Sequence, residues 1–189
     1  MVVGTQVVER SVAWETRWAV DPVHSEVEFA VKHMMFSTVK GRFNDVSGTI
    51  VVDDADPGRS SVGVTIGAAS IDTRDEKRDA HLRSADFFDV DRFPALTFAS
   101  NWVEAVGGDR YRVTGNLTIH GVTREVTLDA TFNGEGVNPW GQAVRGYSAE
   151  ATINRKDFGL NWNVALEAGG VLVGDNMKIA LDVQAGREA

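Results

Sequence analysis

Four histidines, His24, His33, His81 and His120, are the side chains of this chain best suited to acid–base or metal chemistry. Their spacing does not favour either. His24 and His33 sit nine positions apart across one strand-like segment, so local spacing cannot join them on one ion. No His-x-His or HExxH pattern occurs, and no Gly-x-Ser-x-Gly elbow. The chain has no Cys, which removes thiolate nucleophiles, thiolate metal sites and disulfides. Its Gly-Gly pairs have the setting of turns and lack the form of a phosphate cradle. Most carboxylates fall on outward parity or in turns, and none forms a convincing acid–base pair. No catalytic residue, metal site or cofactor is expected.

Two polar residues stand out because alternation points them inward: His33 and Arg145. A buried polar group needs a partner or water. Each is therefore a candidate to hold the polar head of a ligand, or else a satisfied internal hydrogen bond or rim charge. Arg124 shares the inner parity but lies beside a turn, at the rim.

The elements that must position them are strands. Leu96–Glu104, Tyr111–Ile119 and Val122–Phe132 each alternate with period two. Gly107-Gly108 and His120-Gly121 separate them as tight hairpin turns. Taken as two-residue loops, these turns set Trp102 opposite Val113, Ser100 opposite Gly115 and Phe98 opposite Leu117. On the other side they set Gly115 opposite Val126 and Val113 opposite Leu128. The apolar sets then share one face of an antiparallel meander.

Further segments repeat the pattern. Val27, Phe29, Val31 and His33 share a face; so do Val46, Gly48, Ile50 and Val52; and Val62, Val64, Ile66 and Ala68. Ala143 to Ile153 and Met177 to Val183 do the same near the end. The alternation breaks over residues 73–84, where Thr73 and Glu76 fit a capping box and a short surface helix is expected. The fold class is all-β: about eight antiparallel strands, closed as a barrel or packed as a sandwich. Residues 1–15 carry little pattern and read as a loosely ordered lead-in; residues 16–186 form a single domain. No internal repeat occurs.

A barrel of about eight strands is filled by side chains or holds one small ligand. Small residues on inner faces (Gly48, Ala68, Ser100 against Gly115, Ala130, Ala149, Ala151) lie within a ring of Phe29, Phe43, Phe98, Trp102, Tyr147 and Ile153. That contrast suggests unfilled apolar volume. The opposing possibility is that the helix or the aromatic bend at 154–163 fills the middle.

The 189 residues carry a net charge of −8, which argues against a nucleic-acid partner. No run approaches the ~20 apolar residues of a membrane-spanning helix, so stable membrane insertion is not expected. The N-terminus has neither a basic n-region nor a sustained apolar h-region, and a cytoplasmic location is the expectation.

Several short motifs occur in order: Trp18-Ala-Val-Asp-Pro-Val-His-Ser25; Val27-x-Phe29-x-Val31-x-His33; Phe43 with Gly48; Phe87-Phe-Asp89 with Phe93-Pro94; Gly115-Asn-Leu-Thr-Ile-His-Gly121; and Asn154-Arg-x-Asp-Phe-Gly159. Together they closely resemble the bacterial YceI-like family, from about Trp18 to Val183. The resemblance implies an eight-stranded lipocalin-like barrel with an elongated apolar channel. It implies binding of long-chain amphiphiles such as polyisoprenoids, isoprenoid quinones or their precursors. Members of that family are often dimers, so the resemblance allows a homodimer, and many are periplasmic and carry a signal peptide, which is not read here. It supplies no catalytic motif. The expected function is non-enzymatic binding, transport or storage of such a lipid. Phe29, Phe36, Phe43, Phe98, Trp102, Tyr147, Phe158, Leu160 and Trp162 are the expected lining, the last three on the family motif, with His33 or Arg145 at the head group. An enzyme using His33 on a small apolar substrate, and a stress-response interaction module with a solid barrel, are the alternatives.

Overall fold

Asp21-Pro22 and Asn44-Asp45 each interrupt an otherwise alternating segment, and at both places the chain bends without leaving the sheet. The computed structural model describes residues 15–188, so the expected N-terminal lead-in lies almost wholly outside the described residues. The elements run β1 (Glu15–Val20), β2 (Glu26–His33), β3 (Ser37–Phe43), β4 (Val46–Asp53), β5 (Ser61–Gly67), β6 (Ile71–Asp72), α1 (Glu76–Arg83), β7 (Ala95–Gly107), β8 (Arg110–Ile119), β9 (Val122–Val137), β10 (Ala143–Asn154) and β11 (Val173–Arg187).

All pairings are antiparallel, and the order β1-β4-β5-β7-β8-β9-β10-β11 closes on itself because β11 also pairs with β1. This is the expected eight-stranded barrel. The strands β2, β3 and β6 continue β1, β4 and β5 beyond the bends, with β2 pairing β11 and β3 pairing both β2 and β6. Ser25 fastens one bend. Its hydroxyl donates to the Gln184 carbonyl at 3.2 Å and accepts from the Gln184 N–H at 3.1 Å.

The β8–β9 register is the one that the His120-Gly121 turn predicts, from Ile119 opposite Val122 to Tyr111 opposite Ala130. His120 and Gly121 both take positive φ, 52° and 71°, as a primed turn requires. The β7–β8 pairing keeps Phe98 opposite Leu117 and Ser100 opposite Gly115, then departs from expectation. Two irregularities, at Asn101 and Val106, each add a residue to β7. Val103, not Trp102, then faces Val113, and Trp102 turns outward, 57% exposed. The turn shifts with it, so that Gly107 pairs with Arg110.

Two further expectations need correction. The helix cap is Asp75, which accepts from the Arg78 N–H at 3.0 Å; Thr73 instead bonds the buried carboxylate of Asp79. The strand β9 also runs on to Val137 through residues whose glycines suggest a loop.

One end of the barrel is closed by aromatic packing. Phe29 and Phe43 lie 5.8 Å apart, and Phe88 meets Phe43 edge-on at 5.8 Å. Beneath them Ile71, Ile119 and Phe158 are almost completely buried. The chain after β10 is held there by Arg155, itself 3% exposed. Its guanidinium donates to the carbonyls of Gly174 (2.9 Å), Trp162 (3.0 Å), Val173 (3.4 Å) and Leu160. Burial lowers its pKa and the nearby Asp175 charge opposes that.

Candidate functional site

Inside the barrel lies a cavity of about 630 Å³, within the range of small-molecule sites. Its wall is built from the inward residues of nearly every strand: Val27 and Phe29, Val46 and Ile50, Val62 to Ile66, Phe98 and Val103, Val113 and Leu117, Val126 and Leu128, Ile179 and Leu181. The alternation of the sequence is thus the direct cause of the apolar lining. Phe43 and Phe88 close one end.

Apart from Glu28 on β2, the polar lining residues gather at the other end, around the turns that follow β4, β7 and β9 and on β10: Asp53, Asp54, Ser60, Asp109, Glu135, Arg145, Tyr147 and Ser148. Asp54 and Glu135 have side chains 67% and 60% exposed, which makes this end the mouth. Arg145 organises it. Its Nη1 and Nη2 donate to the two carboxylate oxygens of Asp54, each at 3.1 Å, and Nε donates to Glu135 at 3.0 Å. The guanidinium lies 4.6 Å from the ring centre of Trp18 and 5.6 Å from that of Phe132. Such forked pairing with aromatic stacking is a geometry specific to arginine. Burial works against the charge, but the Asp54 hydrogen bonds and the neighbouring Tyr147 outweigh it, and the Arg145 pKa is held above its usual value. Burial also pushes the Tyr147 phenol up, with Arg145 opposing.

Of the residues singled out from sequence, Phe29, Phe43, Phe98, Tyr147 and Arg145 line the cavity. The others do not, for identifiable reasons. Trp102 is displaced outward by the Asn101 bulge and covers the 57–59 turn, with Gly58 close by. Phe36 sits at the tip of the β2–β3 hairpin, 76% exposed. His33 is half-buried at the end of β2, outside the lining, because the Phe29–Phe43–Phe88 plug ends the cavity before the strand ends. Phe158 and Leu160 are core residues beneath that plug, and Trp162 packs on Phe87 (5.2 Å) and His81 (4.6 Å) in the same closed end. Arg124 lies at the opposite rim from the mouth, bonded to the Thr123 carbonyl.

The expected gap at Ser100 and Gly115 is also absent. A side chain on Gly115 would meet the Ala99 carbonyl and, at 2.7 Å each, Phe98 Cζ and Ser100 Cα. Ser100 Oγ accepts from the Val62 N–H at 2.8 Å. The cavity runs past this pair and is lined on either side of it, by Phe98 and Leu117 and by Val103 and Val113.

Sequence reasoning missed Asp54, Glu135, Tyr111, Phe132 and Val103 as lining residues. Tyr111 had a usable signal, since it shares the inner face with Val113. Asp54 had none, being one of three aspartates in a polar turn. Among the described residues no group of three or more His, Asp or Glu could hold a metal ion. No helix among them is long and apolar enough to cross a membrane.

A family model described as a YceI-like domain matches residues 18–185. A UPF0312 protein of Pectobacterium atrosepticum is 43% identical over 150 residues, covering 79% of this chain and 78% of the relative. The crystal structure of BcnA from Burkholderia cenocepacia superimposes with a TM-score of 0.75 at 28% identity, covering 87% of this chain and 98% of BcnA. A polyisoprenoid binding domain from Saccharophagus degradans superimposes with a TM-score of 0.66 at 15% identity, covering 90% and 98%.

Proposed function

Because this chain belongs to the YceI-like domain family, we propose that it is a non-enzymatic carrier or store for a long-chain isoprenoid lipid, held tail-first in the barrel. The observation that carries this is the cavity: about 630 Å³, walled by aliphatic and aromatic side chains, plugged at one end and polar at the other. The ligand class is carried over from the Saccharophagus degradans domain, whose likeness is one of fold.

At roughly 30 Å³ per water-sized group, the cavity accepts on the order of twenty non-hydrogen atoms, the size of a tail of about four isoprene units. Burial contributes about 0.8 kcal/mol per methylene, so such a tail offsets the ~4–15 kcal/mol that association costs. No reacting group is needed for this. His33, the one candidate acid–base residue, lies outside the cavity.

The test is organic extraction of the purified protein followed by mass spectrometry, with titration of geranylgeraniol into extracted protein. Extractable prenyl lipid, and a rise in melting temperature on adding the alcohol, support the reading. No extractable lipid, together with unchanged tryptophan fluorescence and melting, overturns it.

A further inference from the structure

The mouth of the cavity carries an excess of negative charge. Asp53, Asp54, Asp109 and Glu135 line it, against the single lining cation Arg145. Arg59, outside the lining, is engaged by Asp53 at 3.2 Å and by Glu15 at 3.3 Å. Arg145 is itself committed. All three of its nitrogens donate to Asp54 or Glu135, and Trp18 and Phe132 lie close to its guanidinium. An arginine presented to a phosphate or carboxylate head needs its donor fork free. Here a phosphate would have to displace two carboxylates that stay tethered beside it, and their charges, exposed at the mouth, repel it. An alcohol, phenol or carbonyl oxygen meets no such repulsion, and the Tyr147 hydroxyl lines the same end.

We propose that this mouth is a charge filter: resting on the carrier reading above, the ligand has an uncharged polar head, and Asp54 and Glu135 reject phosphorylated and carboxylated lipids of the same tail. The two carboxylates do this twice over, by occupying Arg145 and by repelling the incoming anion. The filter is electrostatic, so it weakens as salt screens the exposed carboxylates.

The experiment compares geranylgeraniol with geranylgeranyl phosphate in competition for a fluorescent apolar probe in lipid-extracted protein. The alcohol should bind at least about tenfold tighter at low ionic strength, with the ratio shrinking as salt is added. The double variant Asp54→Asn/Glu135→Gln should bring the ratio close to one. Glu188→Gln, which removes only the exposed pair with Arg17, should leave it unchanged. Phosphate binding as tight as the alcohol, or a ratio that the double variant does not move, overturns the filter and leaves the carrier reading standing. Failure of both lipids to displace the probe removes the carrier reading, and the filter with it.

Discussion

Arg145 and Asp54 meet as a two-pronged ion pair, 3.1 Å at each contact, although β11 and β1 lie between them in the barrel wall. The guanidinium reaches Asp54 over the ring of Trp18, which β1 contributes. The pair therefore ties β10 to the turn after β4 across the edge of the cavity, and its strength comes from stacking as well as from charge.

Replacing Arg145 by Lys keeps the charge but loses the fork and the stack. It should cost about 1–2 kcal/mol of unfolding free energy. Asp54→Asn, at an exposed carboxylate, should cost less than about 1 kcal/mol. Urea unfolding of the two variants reads the difference, and equal losses would show that the aromatic stack contributes nothing.

Gly115→Ala places a methyl group against the Ala99 carbonyl and the Phe98 ring. It should destabilise the protein by about 1–3 kcal/mol. Gly63→Ala on neighbouring β5 has nothing within 4 Å. It should be neutral or stabilise by up to about 1 kcal/mol, by restricting the unfolded chain. Denaturant midpoints of the pair check both signs.

Arg155→Met removes the donor shared by four carbonyls at the closed end. A loss of about 3–5 kcal/mol is expected. Arg155→Lys should recover little of it, because one ammonium cannot span those acceptors. Thermal unfolding of both variants measures this.

Alkaline pH should weaken the fold through Tyr147. Its folded pKa is raised by burial, while the unfolded residue titrates near 10.0. The folded state thus keeps a proton that the unfolded state gives up. Stability is fully present below pH 10 and falls as pH rises from there towards the folded value. Tyr147→Phe should flatten the decline between pH 9 and 11 relative to the parent, as read by urea unfolding at each pH.

Much of the barrel is legible in residue types because its inner face is apolar and its outer face wet, which alternation records directly. The β8–β9 register follows from His120-Gly121, whose conformation leaves the pairing no slack. The β7–β8 register does not follow, since a lone Asn101, though disfavoured in strands, and an ordinary Val106 do not say that a bulge sits there, and one extra residue reverses the facing of Trp102. The mouth is half legible for a similar reason. Inward parity selects Arg145, but its partner Asp54 lies 91 positions away in a turn, and Glu135 falls among glycines that suggest loop. His33 misleads because parity says which way a side chain points and nothing about where the cavity stops, and Phe36 because it falls in the turn between β2 and β3, where no strand face exists.

The antiparallel order also has a kinetic side. Each strand of the barrel pairs with the one before it, except where β11 returns to β1 and β2. Along that seam Ser25 bonds Gln184, 159 positions away. Closing such a span costs ~3 kcal/mol more in chain entropy than closing a hairpin turn. Hairpins from β7 to β10 can therefore assemble locally, while the seam waits for both ends of the chain to arrive. Slow refolding should report the docking of the first two strands. Anything that occupies only the finished barrel acts afterwards, holding shut a join whose opening would be the first event of unfolding.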